Sequence, residues 1–204
     1  MRVRKAAQDD RAAVARLLFE SAVDMYERFS GGTERALATL ERAFDTPGNL
    51  ASMEVTWVAE VDGEPAAAMA AFPVSEASER SKAYMDLTLR GTPFWRWPGV
   101  MRLYWIGGRA SPRPRDNSFY IDALATDPAF RRRGAARGLL DEAERQAHAH
   151  GLPAISLDTT LTNEAARALY KGAGFDEVAY KAPSRGLPGF VALVKPVDQS
   201  PPAL

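Results

Sequence analysis

Apolar positions along the chain follow two alternating rhythms, and the switch between them predicts the elements. Phe119 to Ala125 is a short run rich in aromatic and branched residues, closed off by Pro128, as a strand requires. Beyond it Ala136, Leu139, Leu140, Ala143 and Ala147 recur at helical spacing, so an amphipathic helix begins near Gly134 and ends before Gly151 and Pro153. Upstream, Glu54 to Val61 and Glu64 to Phe72 flank Asp62-Gly63, the signature of a hairpin. Val3 to Ala7 reads as a first strand. Asp9 or Asp10 caps a helix running through about Tyr26 with Val14, Leu17, Leu18 and Ala22 on its buried face, and Thr33 caps a second from Glu34 to Phe44. After Gly151, Ala154 to Asp158 predicts another strand and Asn163 opens a helix. Glu177 to Lys181 and Phe190 to Val194 supply a last pair of strands.

Residues 74–117 are too long for a hairpin connection, and a structureless loop of that length does not sit well in a compact domain, so part of the segment is expected to be helical. It carries Tyr84, Phe94, Trp95, Trp97, Tyr104 and Trp105 among several prolines. Such aromatics either line a substrate pocket or pack the insertion against the sheet or a second subunit, and the second role is the commoner one.

Composition narrows the chemistry. A chain of 204 residues with 46% hydrophobic positions has enough material for one ordinary domain with a sizeable core. Formal net charge is zero, which gives no global electrostatic footprint for nucleic acid or an anionic membrane, and neither is expected as a partner. Without cysteine the chain has no disulfide, thiolate metal site or cysteine nucleophile. The N-terminus has no signal-peptide core and no apolar run approaches membrane-spanning length, so a cytoplasmic location is expected. His148 and His150 lack a carboxylate partner at metal-ligand spacing and read as surface residues; no metal is expected.

Chemistry concentrates where the strand at 119–125 gives way to the helix at Gly134. A helix N-terminus offers unpaired amides and the positive end of the macrodipole, which together bind an anion without any side chain. Arg131, Arg132, Arg133 and Arg137 add charge at the same point, as a ligand with several phosphates requires. A run of arginines is also an ordinary solvated surface. A nucleoside triphosphate P-loop is excluded because no Lys-Ser or Lys-Thr pair follows the glycine, and the three-glycine dinucleotide fingerprint is missing.

Arg131 to Ala136, RRRGAA, resembles the pyrophosphate loop of the GNAT N-acetyltransferase superfamily: Gln or Arg, two residues, Gly, one residue, then Gly or Ala. The preceding LAT, the following AISLDTT, and Asn163 to Phe175, where an Asn opens a helix and a Tyr lies near its end before Gly-Phe, resemble the family in the same order. The resemblance covers residues 117–180 closely and the N-terminal half in outline. It implies an α/β single-domain GNAT-like fold over residues 1–196. The sheet is then mixed and mostly antiparallel, flanked by helices, with a splay between the fourth and fifth strands, a helical and aromatic insertion at 74–117, and a flexible tail at 197–204. The implied cosubstrate is acetyl-CoA. Its pantetheine arm would pair with Leu124, Ala125 and Thr126, freed by a β-bulge near Ala123 or Leu124. Its pyrophosphate would lie on Arg131, Arg132, Arg133, Gly134, Ala135 and Ala136, with Asn163 and Tyr170 as further contacts. Family members often carry Val at the position of Thr126.

The resemblance further implies that Tyr170 is the general acid that protonates the leaving sulfur. Asp122, two residues before the pantetheine position, is then a candidate base with Tyr120 on the same strand face. The alternative for Asp122 is a structural partner of an arginine or amide, and for Asn163 a plain helix cap. The expected activity is direct acetyl transfer from acetyl-CoA to a primary amine of a small molecule. A non-catalytic acyl-CoA sensing domain and a protein lysine or N-terminal acetyltransferase are the alternatives.

Overall fold

The structure, a computed structural model, describes residues 1–184 and 186–199. Its strands are β1 (Arg2–Lys5), β2 (Thr56–Val61), β3 (Glu64–Pro73), β4 (Phe119–Thr126), β5 (Ala154–Thr160), β6 (Asp176–Lys181) and β7 (Phe190–Pro196), joined in one sheet in the order β1-β2-β3-β4-β5-β7-β6. All pairings are antiparallel except β4 with β5. The helices are α1 (Arg11–Ser21), α2 (Val23–Ser30), α3 (Thr33–Asp45), α4 (Ala77–Arg90), α5 (Trp97–Ala110), α6 (Ala135–Ala149) and α7 (Glu164–Gly172). Among the described residues, no helix is long and apolar enough to cross a membrane.

Alternation along the central strands feeds two cores. Ala67, Met69 and Ala71 of β3 pack with Leu139, Leu140 and Ala143 of α6 on one face, while Ala68 and Ala70 pack with Val14, Leu18 and Leu40 of α1 and α3 on the other. The β2–β3 turn has φ 55° at Asp62 and 86° at Gly63, the pair of left-handed residues whose twist matches a hairpin.

β4 breaks the alternation. Ala70 pairs with Ala123 and Ala71 with Ile121, so Asp122 is an extra residue with no partner on β3. Phe119 and Ile121 therefore face the α6 core, whereas Ala123 and Ala125 face α1 and α3. The bulge thus lies at Asp122, just before the expected position at Ala123 or Leu124. On its other edge β4 pairs with β5 through Phe119, Tyr120 and Ile121 alone. From Asp158 onward β5 continues with β7, and the two central strands diverge.

Two helical boundaries differ from the expectation. The helix expected through Tyr26 ends at Ser21, whose hydroxyl donates to the Leu18 carbonyl (2.6 Å), and Ala22 turns at φ −156°, ψ 55° before α2 sets off in a new direction. Gly32 rather than Thr33 is the N-cap of α3, because Thr33 Oγ1 donates to Glu27 instead. Asp10 does precede α1, but its carboxylate binds the Arg4 guanidinium (2.5 and 2.9 Å) and the Ala7 amide (2.8 Å). At the other end, Val197 N donates to the Pro153 carbonyl (2.9 Å), and residues 200–204 of the expected tail lie outside the described residues.

Phe119 is 1% exposed at the short β4–β5 seam, its ring edge-on to Trp57 at 6.1 Å. Phe119→Ala should lower unfolding free energy by ~3–5 kcal/mol, measured by urea denaturation.

Candidate active site

The loop after β4 is shaped to leave amides open. Asp127 Oδ1 accepts from Ala129 N (2.9 Å) and its other oxygen pairs with Arg16 (3.1 Å), which turns the chain; Arg132 (φ 62°) and Gly134 (φ 84°) then take left-handed conformations. Gly138 N is the first amide to return to the helix, bonding Gly134 O at 2.9 Å, so the amides of Ala135, Ala136 and Arg137 precede the ladder. A Cβ on Gly134 would meet nothing within 4 Å, so the glycine is required by its φ, and the space beside it is open. Two of the four arginines serve the fold: Arg133 lies over Phe130 and reaches Asp62 (3.4 Å), and Arg137 binds Asp141 (3.1 Å) and the Gly172 carbonyl (3.0 Å). Arg131 and Arg132 are exposed and make no ion pair among the described residues.

Leu124, Ala125 and Thr126 form the β4 edge that faces the splay, since pairing with β5 has already stopped at Ile121. Thr126 Oγ1 is buried without a hydrogen-bond partner among the described residues. Asn163 caps α7 by accepting from Ala166 N (3.2 Å). Tyr170 lies near the other end of the same helix, buried, its ring 5.8 Å from that of Phe175. Burial first, and the charge of Asp158 second, push its phenol up to about 12.

Asp122 and Asp158 are the first residues past the last β4–β5 pair, Ile121 with Leu157, and both line a cavity of ≈ 530 Å³. Asp158 is well supplied: Tyr120 donates to one oxygen (2.6 Å) and Ser111 to the other (2.9 Å). Burial raises it all the same, with those two bonds acting in the opposite direction. For Asp122, burial and then the neighbouring Asp158 charge push the carboxyl up to about 7, with no hydrogen bond among the described residues to offset them. Tyr26 and Tyr84 lie close enough that the Asp122 charge adds to the effect of burial in raising both phenols.

The insertion provides the cover. Tyr84 of α4, and Tyr104 and Trp105 of α5, line this cavity opposite β4, as do Tyr26 and Phe29 of α2. Phe94 and Trp95 do not: they are 72% and 70% exposed in the turn before α5.

Residues 19–175 match the acetyltransferase (GNAT) family. The chain belongs to this family. A comparison with curated proteins gives no match. Among solved structures, an N-acetyltransferase from Staphylococcus aureus Mu50 superposes with a TM-score of 0.75 at 22% identity, covering 95% of this chain and 100% of that one. An acetyltransferase at 24% identity gives a TM-score of 0.70 over 97% and 100% of the two chains. The ribosomal-protein-S18-alanine N-acetyltransferase from Escherichia coli gives 0.56 at 15% identity over 100% and 97%. At these identities the likeness is one of fold.

As a GNAT enzyme the protein takes its acetyl group from acetyl-CoA, and the site fits that molecule. An orphaned Thr126 hydroxyl and an unpaired strand edge lie on one side, and open amides with two free arginines lie at the N-terminus of α6. Among the described residues, no cluster of His, Cys, Asp or Glu is placed to hold a metal ion.

Asp158, Tyr26 and Tyr84 were not marked by the sequence as site residues. Asp158 had a signal: in the parallel register its number follows Leu157 as Asp122 follows Ile121. Tyr84 was named only among the insertion aromatics that either line a pocket or pack the insertion, and Tyr26 had no signal, because the two arrive from separate helices.

Ionised Asp122 is disfavoured by the fold, so its penalty is absent below the ordinary carboxylate value of 3.8, grows as pH rises, and levels off above about 7. Asp122→Asn should therefore raise unfolding free energy by ~2–4 kcal/mol at pH 8 and change it little at pH 4, measured by denaturant titration at both values.

Proposed function

We propose that the protein acetylates the primary amine of a small molecule, with Asp122 as base and Tyr170 as acid. The observation that carries this is the insertion lying over the strand splay, which turns the acceptor side into a walled cavity with a carboxyl of pKa about 7 in its wall. A polypeptide acceptor needs an open groove in which to lie extended. A sensing domain has no use for a buried base.

A substrate ammonium resembling lysine has a pKa near ~10.4, so only about one molecule in a thousand is a free amine at neutral pH. With a pKa near the working pH, Asp122 is partly ionised and available as the base; it accepts the proton most readily as the carbon–nitrogen bond forms and the nitrogen loses its basicity. When bound, acetyl-CoA supplies an acetyl thioester whose carbonyl carbon accepts the amine nitrogen. The carbon–nitrogen bond forms, the carbon–sulfur bond breaks, the Tyr170 hydroxyl delivers a proton to the sulfur, and the second proton shed by the nitrogen on becoming an amide restores that hydroxyl. A phenol held up to about 12 is fully protonated for that task. Leu124, Ala125 and Thr126 would hold the pantetheine arm, Arg131 to Ala136 the pyrophosphate, and Asn163 would add a contact while capping α7.

Tyr170→Phe should lower kcat by ~100-fold at saturating acetyl-CoA while acetyl-CoA binding measured by calorimetry survives; unchanged turnover with a good substrate would remove the assigned role. In the wild-type enzyme kcat/KM should climb as pH rises through about 7, where Asp122 loses its proton, and this limb should vanish in Asp122→Asn.

A further inference from the structure

The cavity beside Asp122 has a composition more selective than "small amine". Its floor carries two carboxyls, Asp122 and Asp158, set among three tyrosines. One of those phenols is engaged: Tyr120 donates to Asp158 at 2.6 Å. Tyr84 lines the same cavity, and its hydroxyl is buried with no hydrogen-bond partner among the described residues. A buried phenol left in that state costs free energy unless something enters to meet it, and an ammonium drawn in by the carboxyls is a group able to do so. The tyrosine rings add favourable faces for a cation, with Tyr26 and Tyr84 edge-on at 6.4 Å.

Away from the floor the walls turn apolar. Met25, Phe29, Met85, Tyr104 and Trp105 surround the remaining space, and the volume of ≈ 530 Å³ suits a small molecule rather than a chain. At the rim the polarity reverses. Arg109 stacks its guanidinium 3.5 Å above the Trp105 ring, and exposed Arg113 lies two residues beyond Ser111. An acceptor with a second cationic group would bring it toward these arginines or leave it unhydrated against methionine and phenylalanine.

Resting on the amine acetyltransferase function above, we propose that the acceptor is a primary monoamine with an aromatic or alkyl body, its single ammonium seated among Asp122, Asp158 and the Tyr84 hydroxyl. Tyr84 is then a specificity-determining residue, and Arg109 and Arg113 screen out polycations such as polyamines and aminoglycosides.

The test combines turnover with binding. Release of coenzyme A thiol is followed with 2-phenylethylamine, hexylamine, spermidine, kanamycin and a lysine peptide, and thermal shifts are recorded with the same amines without acetyl-CoA. The expected result is kcat/KM for the two monoamines at least ~100-fold above the other three, with thermal stabilisation by the monoamines only. Tyr84→Phe should raise KM for 2-phenylethylamine about tenfold with little change in kcat, the split expected when a contact made equally in ground and transition states is lost. Arg113→Glu, at an exposed site where folding is not at risk, should raise the spermidine-to-phenylethylamine ratio of kcat/KM about tenfold. Preference for spermidine, kanamycin or the peptide, or a ratio unmoved by Arg113→Glu, overturns the monoamine assignment and leaves amine acetylation standing. Stabilisation by 2-phenylethylamine without acetylation of any amine overturns the acetyltransferase function instead.

Discussion

The ladder between β4 and β5 runs from Phe119 to Ile121 on one strand and from Ile155 to Leu157 on the other, then stops. Among the described residues, these three positions are the backbone ladder that joins the β1–β4 and β5–β7 portions of the sheet. Beyond them each strand remains satisfied on its outer side, β4 by β3 and β5 by β7, so divergence breaks no existing ladder. What it creates is an inner edge with free backbone groups and a gap that side chains do not fill. Because such an edge is costly when buried dry, the fold is built to receive something there. The extra residue at Asp122 is the local cause: a bulge adds twist and bends its strand away from its neighbour.

Two carboxyls at the mouth of that gap divide the work through their surroundings. Asp158 receives hydroxyls from Tyr120 and Ser111, which favour its charge. Asp122 receives none among the described residues, so burial and the neighbouring Asp158 charge push its carboxyl up to about 7. The two carboxyls thus differ through unequal hydrogen bonding rather than through unequal residues. Tyr170, on α7, also feels the Asp158 charge, which makes Asp158 the electrostatic link between the two proposed proton-transfer groups.

Much of this was legible in the sequence, for identifiable reasons. Strand β4, helix α6 and the hairpin at Asp62-Gly63 are local: their periodicity, prolines and glycines act over a few residues. The loop from Arg131 to Ala136 was legible because its glycine must take a positive φ and its arginines sit in one run. Other features were not local. The helix expected through Tyr26 has an uninterrupted apolar stripe, and a single bond from Ser21 to Leu18 ends it. Thr33 has the chemistry of a cap, but Glu27 of the preceding helix takes its hydroxyl. The aromatics at 74–117 divide into cavity wall and exposed surface, a division the sequence pattern does not contain.

By itself the sequence determined most strands and helices and the glycine turn before α6, because each follows from short-range sterics and periodicity, while Asp122 and Tyr170 were singled out by the resemblance of their segments to the family. Tertiary structure decided the bulge position, the pairing of Asp122 with Asp158 and the closing of the cavity by α2, α4 and α5. Those depend on residues from Met25 to Phe190 meeting in one place, and on the burial that their meeting creates. A carboxyl's proton affinity is set by how much water and how many donors surround it, and both are fixed only when the chain has folded.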